Sequence, residues 1–209
     1  MTTKAKKTLY FVRHAESEQN VATRDLHAGK QGAARRIIDL GWDAPLSETG
    51  RTQLEHAKTS AELKAWKDDA KIELIAHSPY VRAVSTARAC FEGREISELE
   101  CLHERTLSEY FIPWLLDRRI GALRDWLDAR PEQRIALVGH GQFFKRCLGA
   151  PEVLRNVGVV EVAYENRVFT AKPKTVWPGF APGRATPLPG EAAPVAPETI
   201  DLSDRDDAS

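Results

Sequence analysis

Three short apolar runs separated by amphipathic stretches constrain the fold of this chain more than any other feature. They are LYFV at residues 9–12, IELIA at 72–76 and IALV at 135–138. Mainly apolar runs of this length are typical of strands that are buried on both faces of a parallel sheet. Residues 159–163 and 168–170 predict further strands.

The stretches between these runs predict helices. Ser47 is a candidate N-cap for a helix that reaches residue 66, and Ser78 followed by Pro79 predicts a second helix that reaches residue 91. Residues 117–129 and 141–148 have helical patterns as well. Because strands and helices alternate, the sequence predicts an α/β fold with a mainly parallel central sheet and helices on both faces.

A change of composition near residue 171 divides the chain. Of its 12 prolines, seven lie between Pro173 and Pro197, and the sequence ends in the acidic stretch IDLSDRDDAS. Such a segment buries too little apolar area to offset the entropy that is lost on ordering. We therefore predict one folded domain over residues 1–171 and a Pro-rich, disordered tail over residues 172–209.

The charge balance excludes partners that a global electrostatic field would recruit. The 209 residues include 30 basic and 30 acidic side chains, so neither nucleic acid nor an anionic membrane is an expected partner. The sequence has neither a recognisable signal peptide nor an apolar run of about 18 residues. The cytoplasm is therefore the expected location.

The cysteines give no sign of a disulfide framework or of a zinc site. Cys90, Cys101 and Cys147 are an odd number and include no C-x-x-C pair, so we expect reduced thiols in the core. No motif implies a bound metal ion or an organic cofactor, and neither is expected. The sequence leaves the oligomeric state open.

Polar residues follow each of the three buried runs. Arg13-His14 follows the first, His77-Ser78 the second and Gly139-His140 the third. Since the carboxyl ends of parallel strands share one edge of a sheet, these residues are expected to meet in a crevice there. Arg82, one turn into the predicted helix after Ser78, stays near the same edge, where its planar guanidinium is suited to grip two phosphate oxygens.

Two arginines and two histidines in one cleft suit phosphoryl transfer. The transition state spreads negative charge over the phosphoryl oxygens, and fixed arginine donors stabilise that charge. A neutral imidazole is a competent nucleophile near pH 7, and a covalent intermediate divides the displacement into two steps. The expected ligand is a small phosphorylated substrate.

The motif that begins at Arg13 resembles the R-H-G-E-S-x-x-N signature of the histidine phosphatase superfamily, also called phosphoglycerate-mutase-like. It reads RHAESEQN here, and the resemblance continues through PLSETGRTQLEHA (45–57), SPYVRAVSTA (78–87), LHERT (102–106) and LVGHGQFFK (137–145). Each motif alone is weak, but their order and spacing together are specific. The resemblance covers residues 8–170 and implies a three-layer α/β/α catalytic domain.

The resemblance also implies roles for six residues. His14 would be the nucleophile, His140 a second histidine that donates to the phosphoryl group, and Glu104 the general acid that later activates water. Arg13, Asn20 and Arg82 would bind the phosphate. The implied activity is that of a phosphoric monoester hydrolase.

Departures from the motifs bear on the type of reaction. Mutases of this superfamily usually have a tryptophan before the asparagine and a Tyr-Gly shortly after the acid, whereas this chain has Gln19 and the sequence ERTLSEYF. These departures favour a phosphatase, with a phosphoglycerate-type mutase or a catalytically weak module that binds phosphorylated ligands as alternatives. Ala15 replaces the signature glycine.

Several residues keep more than one interpretation. Glu109 is an alternative to Glu104 as the proton donor, Glu104 itself is also compatible with a surface ion pair, and Asn20 with a helix start. Basic side chains that could bind a second anionic group of the substrate, although surface charge is the more usual role, are Arg24, His27, Lys30, Arg35, Arg36, Arg118 and Arg119.

Overall fold

The computed structural model describes residues 6–170 and 172–186. Its strands are β1 (Lys7–Arg13), β2 (Leu74–His77), β3 (Ser97–Glu98), β4 (Arg134–Gly139), β5 (Val159–Glu165), β6 (Val168–Phe169) and β7 (Lys174–Trp177). They form one sheet in the order β3-β2-β4-β1-β5-β6, with β7 paired to β5. The first four strands in this order are parallel to one another, and the pairs that involve β5 are antiparallel.

Helices cover both faces of the sheet. They are α1 (Glu18–His27), α2 (Ala33–Leu40), α3 (Glu48–Thr59), α4 (Ala61–Ala70), α5 (Val81–Cys90), α6 (Leu107–Phe111), α7 (Pro113–Asp128) and α8 (Gly141–Leu148), with a 3-10 helix at Glu100–Leu102. The predicted α/β fold with a mainly parallel central sheet is therefore confirmed. Helices α1 and α2 lie in the segment before Pro45 for which no element was predicted.

The two faces of β1 belong to two separate apolar cores. Tyr10 and Val12 pack with residues of α3, α4 and α5, whereas Leu9 and Phe11 pack with residues of α7 and α8. Because side chains of a strand alternate between the faces of a sheet, a continuously apolar strand supplies both cores at once. The sheet therefore forms the middle of three layers, and β1 lies at its centre between two layers of helices.

Three helix boundaries differ from the predictions. The helix predicted over residues 117–129 begins four residues earlier, at Pro113. The helix predicted over residues 47–66 is divided at Ser60, whose side chain accepts a hydrogen bond from the backbone N–H of Leu63 and so begins α4. The helix after β2 begins at Val81 rather than at Pro79. Tyr80 rather than Ser78 is therefore the N-cap, and the Ser78 hydroxyl lies 2.8 Å from Nε2 of His140.

Ordered structure continues past the predicted domain boundary at residue 171. Strand β7 pairs with β5, and Trp177 and Phe180 are buried in the core on the α3–α5 face, with Phe180 fully inaccessible to solvent. The prolines suggested disorder, but these two aromatic side chains bury enough apolar surface to hold the segment. Residues 187–209 of the predicted tail lie outside the described residues.

The cysteines are thiols, as predicted: Cys90 and Cys147 are buried, and Cys101 is partly buried. Burial raises the pKa of Cys90 and Cys101 to about 11 and that of Cys147 to about 12, which makes them unreactive as nucleophiles near neutral pH. Within residues 6–170 and 172–186, no helix is long and apolar enough to cross a membrane.

Candidate active site

The three central parallel strands end together and bring their following residues to one place. Arg13 of β1 lies opposite Gly139 of β4, and the backbone N–H of His14 donates to the Gly139 carbonyl at 2.9 Å. The backbone N–H of Ser78 donates to the Val138 carbonyl at 2.9 Å. The imidazole rings of His14 and His140 consequently lie with their centroids 5.0 Å apart.

His14 is held in a tautomer that leaves one ring nitrogen free. Its Nδ1 lies 2.6 Å from the carbonyl oxygen of Ala15, an acceptor, so Nδ1 carries the proton and Nε2 keeps its lone pair. The side chain is 1% exposed. Burial, followed by the positive charges of Arg82 and Arg13, lowers the pKa of His14 well below its ordinary value of 6.5. The ring is therefore neutral and nucleophilic near pH 7.

Both predicted phosphate-binding arginines lie beside His14, and each has an N–H group without a hydrogen-bond partner among the described residues. Arg13 donates to the Leu154 carbonyl at 2.6 Å and Arg82 to the Trp42 carbonyl at 2.9 Å, which fixes the two side chains. Arg82 is 2% exposed and also lies over the ring of Tyr80, 4.8 Å from its centroid. Among the described residues, neither buried Nε has a hydrogen-bond partner. An oxyanion between them would satisfy both groups.

His140 completes this ring of donors. Its Nε2 lies 2.8 Å from the hydroxyl of Ser78, whereas its buried Nδ1 has no partner within the described part of the chain. Burial and then the neighbouring His14, Arg82 and Arg13 lower the pKa of His140 well below 6.5, so this ring is neutral too. A neutral ring with its proton on Nδ1 would donate one hydrogen bond to a bound phosphoryl group.

Of the two candidate acids, the structure places Glu104 at the site. A carboxylate oxygen of Glu104 and one nitrogen each of His14 and His140 all lie within 4.8 Å of one another. Glu104 Oε1 accepts hydrogen bonds from the backbone N–H groups of Arg105 at 2.9 Å and Phe143 at 3.3 Å. Glu104 is therefore close enough to both histidines to exchange a proton with a group bound between them.

Glu109 is not available for that role. Its two carboxylate oxygens accept from Arg119 at 2.8 and 2.7 Å, and the pair is buried. Although burial opposes it, the hydrogen bonds from Arg119 and Thr106 lower the pKa of Glu109, so the carboxylate is ionised and paired. Of the two carboxylates, only Glu104 lies beside both histidines, and Glu109 lies in the ion pair with Arg119.

The same three groups, His14, Glu104 and His140, have a spacing that could hold a metal ion. The surrounding charge opposes this use, because Arg13 and Arg82 already disfavour a positive charge on either imidazole. A divalent cation would meet the same repulsion, whereas an anion would be attracted. The electrostatics of the site thus match a phosphate better than a metal ion.

Asn20 lies at the start of α1, where it takes part in the structure of the helix end. Its side-chain oxygen accepts from the backbone N–H of Ser17, and its own N–H donates to the Ser17 hydroxyl in a capping box. The helix-start interpretation therefore applies. Only the amide nitrogen of the side chain is left as a donor for the predicted phosphate contact.

Most of the basic residues proposed for a second anionic group are paired with acids. Ion pairs are formed by Arg24 with Glu16, Lys30 with Asp25, Arg35 with Asp39, Arg36 with Glu18 and Arg119 with Glu109. His27 and Arg118 are exposed. The five paired residues therefore act as surface or structural charges in this structure.

Several residues that hold the segment around His14 were missed by the sequence analysis. Asn156 donates from its side chain to the His14 carbonyl at 2.9 Å, and Thr86 accepts from the Ala15 N–H at 3.0 Å. Buried Glu16 accepts from the hydroxyl of Ser47 and from the backbone N–H of Gly183. Glu16, Ser47 and Thr86 fall within motifs that the sequence analysis singled out, whereas the distant Asn156 gave no local signal.

Comparison with known proteins gives the family that the sequence motifs resemble. The family model described as the histidine phosphatase superfamily (branch 1) matches residues 9–111. No curated protein matches the chain significantly.

Solved structures share the fold at low sequence identity. A phosphoglycerate mutase from Bacillus anthracis superposes with a TM-score of 0.58 at 18% identity, over 82% of this chain and 94% of that one. A mycobacterial glucosyl-3-phosphoglycerate phosphatase in complex with VO3 gives 0.54 at 19% identity, over 83% and 100%. A phosphoserine phosphatase from Entamoeba histolytica in complex with 3-phosphoglyceric acid gives 0.52 at 17% identity, over 79% and 98%.

Proposed function

Because the chain belongs to the histidine phosphatase superfamily, we propose that it is a metal-independent phosphatase that hydrolyses small phosphate monoesters through a phosphohistidine intermediate on His14. One observation carries the proposal. The free Nε2 of a neutral, buried imidazole stands beside two fixed guanidinium groups, each with an unused buried donor.

In the first step of the proposed reaction, His14 Nε2 attacks phosphorus and the ester oxygen leaves. A new N–P bond forms while the P–O bond to the leaving group breaks. Arg13, Arg82 and His140 donate hydrogen bonds to the phosphoryl oxygens, whose charge they neutralise. Glu104 in its protonated form gives its proton to the departing oxygen.

In the second step, water replaces His14 on phosphorus. Glu104, now a carboxylate, takes a proton from the water as its oxygen attacks, and the N–P bond breaks to release inorganic phosphate. The imidazole returns to its neutral form, with its Nδ1 proton still bonded to the Ala15 carbonyl. The cycle balances without any redox partner or cofactor.

The test measures phosphate release from a panel of monoesters in the presence of a chelator, with wild type and His14→Ala compared. The proposal expects release by wild type alone, and a phosphoryl group found on His14 by mass spectrometry after a rapid quench into alkali. A matched control, His27→Ala, changes an exposed histidine of α1 and should keep wild-type activity. Full activity of His14→Ala would contradict the proposal.

The same assay separates the alternatives. Isomerisation of a phosphoglycerate without phosphate release would indicate a mutase. Binding of phosphorylated ligands without turnover would indicate a binding module. The intact His14, Arg13, Arg82 and His140 support an active enzyme over the latter.

A further inference from the structure

We propose that Arg119 is a positioning residue that holds Glu104 in place for proton transfer to the leaving group. The inference rests on the proposed function, in which Glu104 is the general acid. Arg119 lies on α7, its side chain is 9% exposed, and it contacts the segment that carries Glu104 rather than the phosphate site itself.

The guanidinium of Arg119 binds the backbone on the N-terminal side of Glu104. One terminal nitrogen donates to the carbonyl of Cys101 at 3.0 Å and to that of His103 at 2.5 Å. The other lies 3.5 Å from the carbonyl oxygen of Glu104 itself. A single side chain thus organises three backbone carbonyls within four residues.

Through Glu109, Arg119 also holds the backbone on the other side. The Nε and a terminal nitrogen of Arg119 donate to the two carboxylate oxygens of Glu109 at 2.8 and 2.7 Å. Glu109 in turn accepts from the backbone N–H of Thr106 at 2.8 Å. The residues on both sides of Glu104 are therefore tied to one buried charge.

A third contact links Arg119 to the group that binds the Glu104 carboxylate. The Arg119 guanidinium lies over the ring of Phe143, 4.3 Å from its centroid. The backbone N–H of Phe143 donates to Glu104 Oε1 at 3.3 Å. Arg119 therefore contacts both the loop that carries Glu104 and Phe143, whose backbone N–H orients the Glu104 carboxylate.

Such support matters because residues 103–106 lie between the 3-10 helix and α6 without regular secondary structure of their own. Side-chain contacts must then fix this backbone. A displacement of about 1 Å in a reacting group lowers a rate by about 100-fold. Lysine cannot replace the planar fork that reaches carbonyls and carboxylate together.

The test uses the fact that a general acid matters most for a poor leaving group. Glu104→Gln is expected to lower kcat/KM for an alkyl phosphate that wild type hydrolyses much more than for p-nitrophenyl phosphate, whose leaving group needs no proton. For Arg119→Met we expect the same pattern, with the alkyl-to-aryl ratio of kcat/KM falling about 10-fold or more. Arg119→Lys should give an intermediate ratio.

The matched control is Arg124→Met, which removes another partly buried α7 arginine. Its guanidinium lies over the ring of Phe169, 5.5 Å from the centroid, away from the loop of Glu104. Arg124→Met should leave the alkyl-to-aryl ratio unchanged. Circular dichroism of each variant shows whether it is folded, and Arg119→Lys serves if Arg119→Met is not.

Failure of the positioning role and failure of the proposed function would give different results. An equal loss on both substrates in folded Arg119 variants, with the ratio unchanged, would overturn the positioning role and leave Arg119 a structural residue. Absence of phosphate release by wild type, or an unchanged ratio in Glu104→Gln, would instead contradict the proposed function and the inference with it.

Discussion

The hydroxyl of Ser78 lies 2.8 Å from Nε2 of His140, and both residues are fully buried. Ser78 Oγ accepts from the backbone N–H of Tyr80 at 3.4 Å, so its own hydrogen is free to point at the imidazole. A donor at Nε2 requires the ring proton on Nδ1. A hydroxyl that donates to Nε2 thus favours the tautomer in which Nδ1 carries the proton that, in the proposed reaction, is donated to the phosphoryl group.

Replacement of Ser78 by alanine should weaken catalysis without preventing folding. The variant loses one buried hydrogen bond, worth about 0.5–1.5 kcal/mol, and with it the control of the His140 tautomer. We expect kcat/KM to fall about 10-fold on every substrate, since phosphoryl binding rather than leaving-group departure is affected. Steady-state kinetics check this, with Ser85→Ala on α5 as the control; equal activities of the two variants would rule out this role.

The pKa of His14 should respond to the charge of Arg82. Burial is the first cause of its depression and the charge of Arg82 the second. Because a nearby positive charge disfavours protonation, Arg82→Met should raise the pKa of His14, although burial keeps it below 6.5. An NMR titration of the imidazole measures this directly, and the acid limb of kcat/KM should move to higher pH in parallel. A pKa that falls or stays constant would contradict the assigned electrostatics.

The same depression predicts how stability depends on pH. Unfolded histidines bind protons below about pH 6.5, whereas His14 and His140 in the folded protein do not until lower pH. Protons therefore favour the unfolded chain in this window, and the free energy of unfolding falls as the pH falls below 6.5. Each histidine contributes a slope of up to about 1.4 kcal/mol per pH unit.

Urea unfolding at a series of pH values measures that slope. His14→Asn should reduce the slope of the free energy of unfolding against pH by the contribution of one histidine. His27→Asn, which changes an exposed histidine, should leave the slope unchanged. Parallel profiles for wild type and His14→Asn would show that His14 does not carry the predicted linkage.

The sheet edge that carries the site could be predicted because its signals are local. Runs such as LYFV and IALV identify buried parallel strands, and the rule that their carboxyl ends share an edge places His14 near His140. Arg82 followed from its position one turn into the helix predicted after Ser78, and the motif resemblance then added Glu104. None of these steps requires knowledge of contacts between distant segments.

The remainder depends on such contacts, which sequence patterns do not encode. Surface charge was the favoured role for Arg119, with binding of a second anionic group as the alternative, and Glu109 was an alternative acid. The two side chains instead form a buried ion pair with each other. Asn156 reaches the His14 carbonyl from 142 positions away. Ser78 resembled a helix cap, yet the approach of β4 gives its hydroxyl a stronger partner. In each case a tertiary contact overrides the local preference.

The segment after β6 provides the last prediction, because its burial was not expected from composition. Phe180 is fully inaccessible to solvent and packs near Trp177, with ring centroids 6.4 Å apart. Its backbone N–H donates to the carbonyl of Asn156 at 2.8 Å, and the side chain of Asn156 donates to the carbonyl of His14. Phe180 thus supports both the core and, through Asn156, the backbone of His14.

Phe180→Ala should therefore lower the free energy of unfolding by about 3–5 kcal/mol, the usual effect of removing a buried phenyl ring. Phe111→Ala makes the same chemical change at a side chain that is 78% exposed, and its effect should stay within about 0.5 kcal/mol. Urea denaturation of the two variants measures the difference. If they proved equally stable, residues 174–180 would not be part of the cooperative fold, and the domain would end near residue 171 as the prolines suggested.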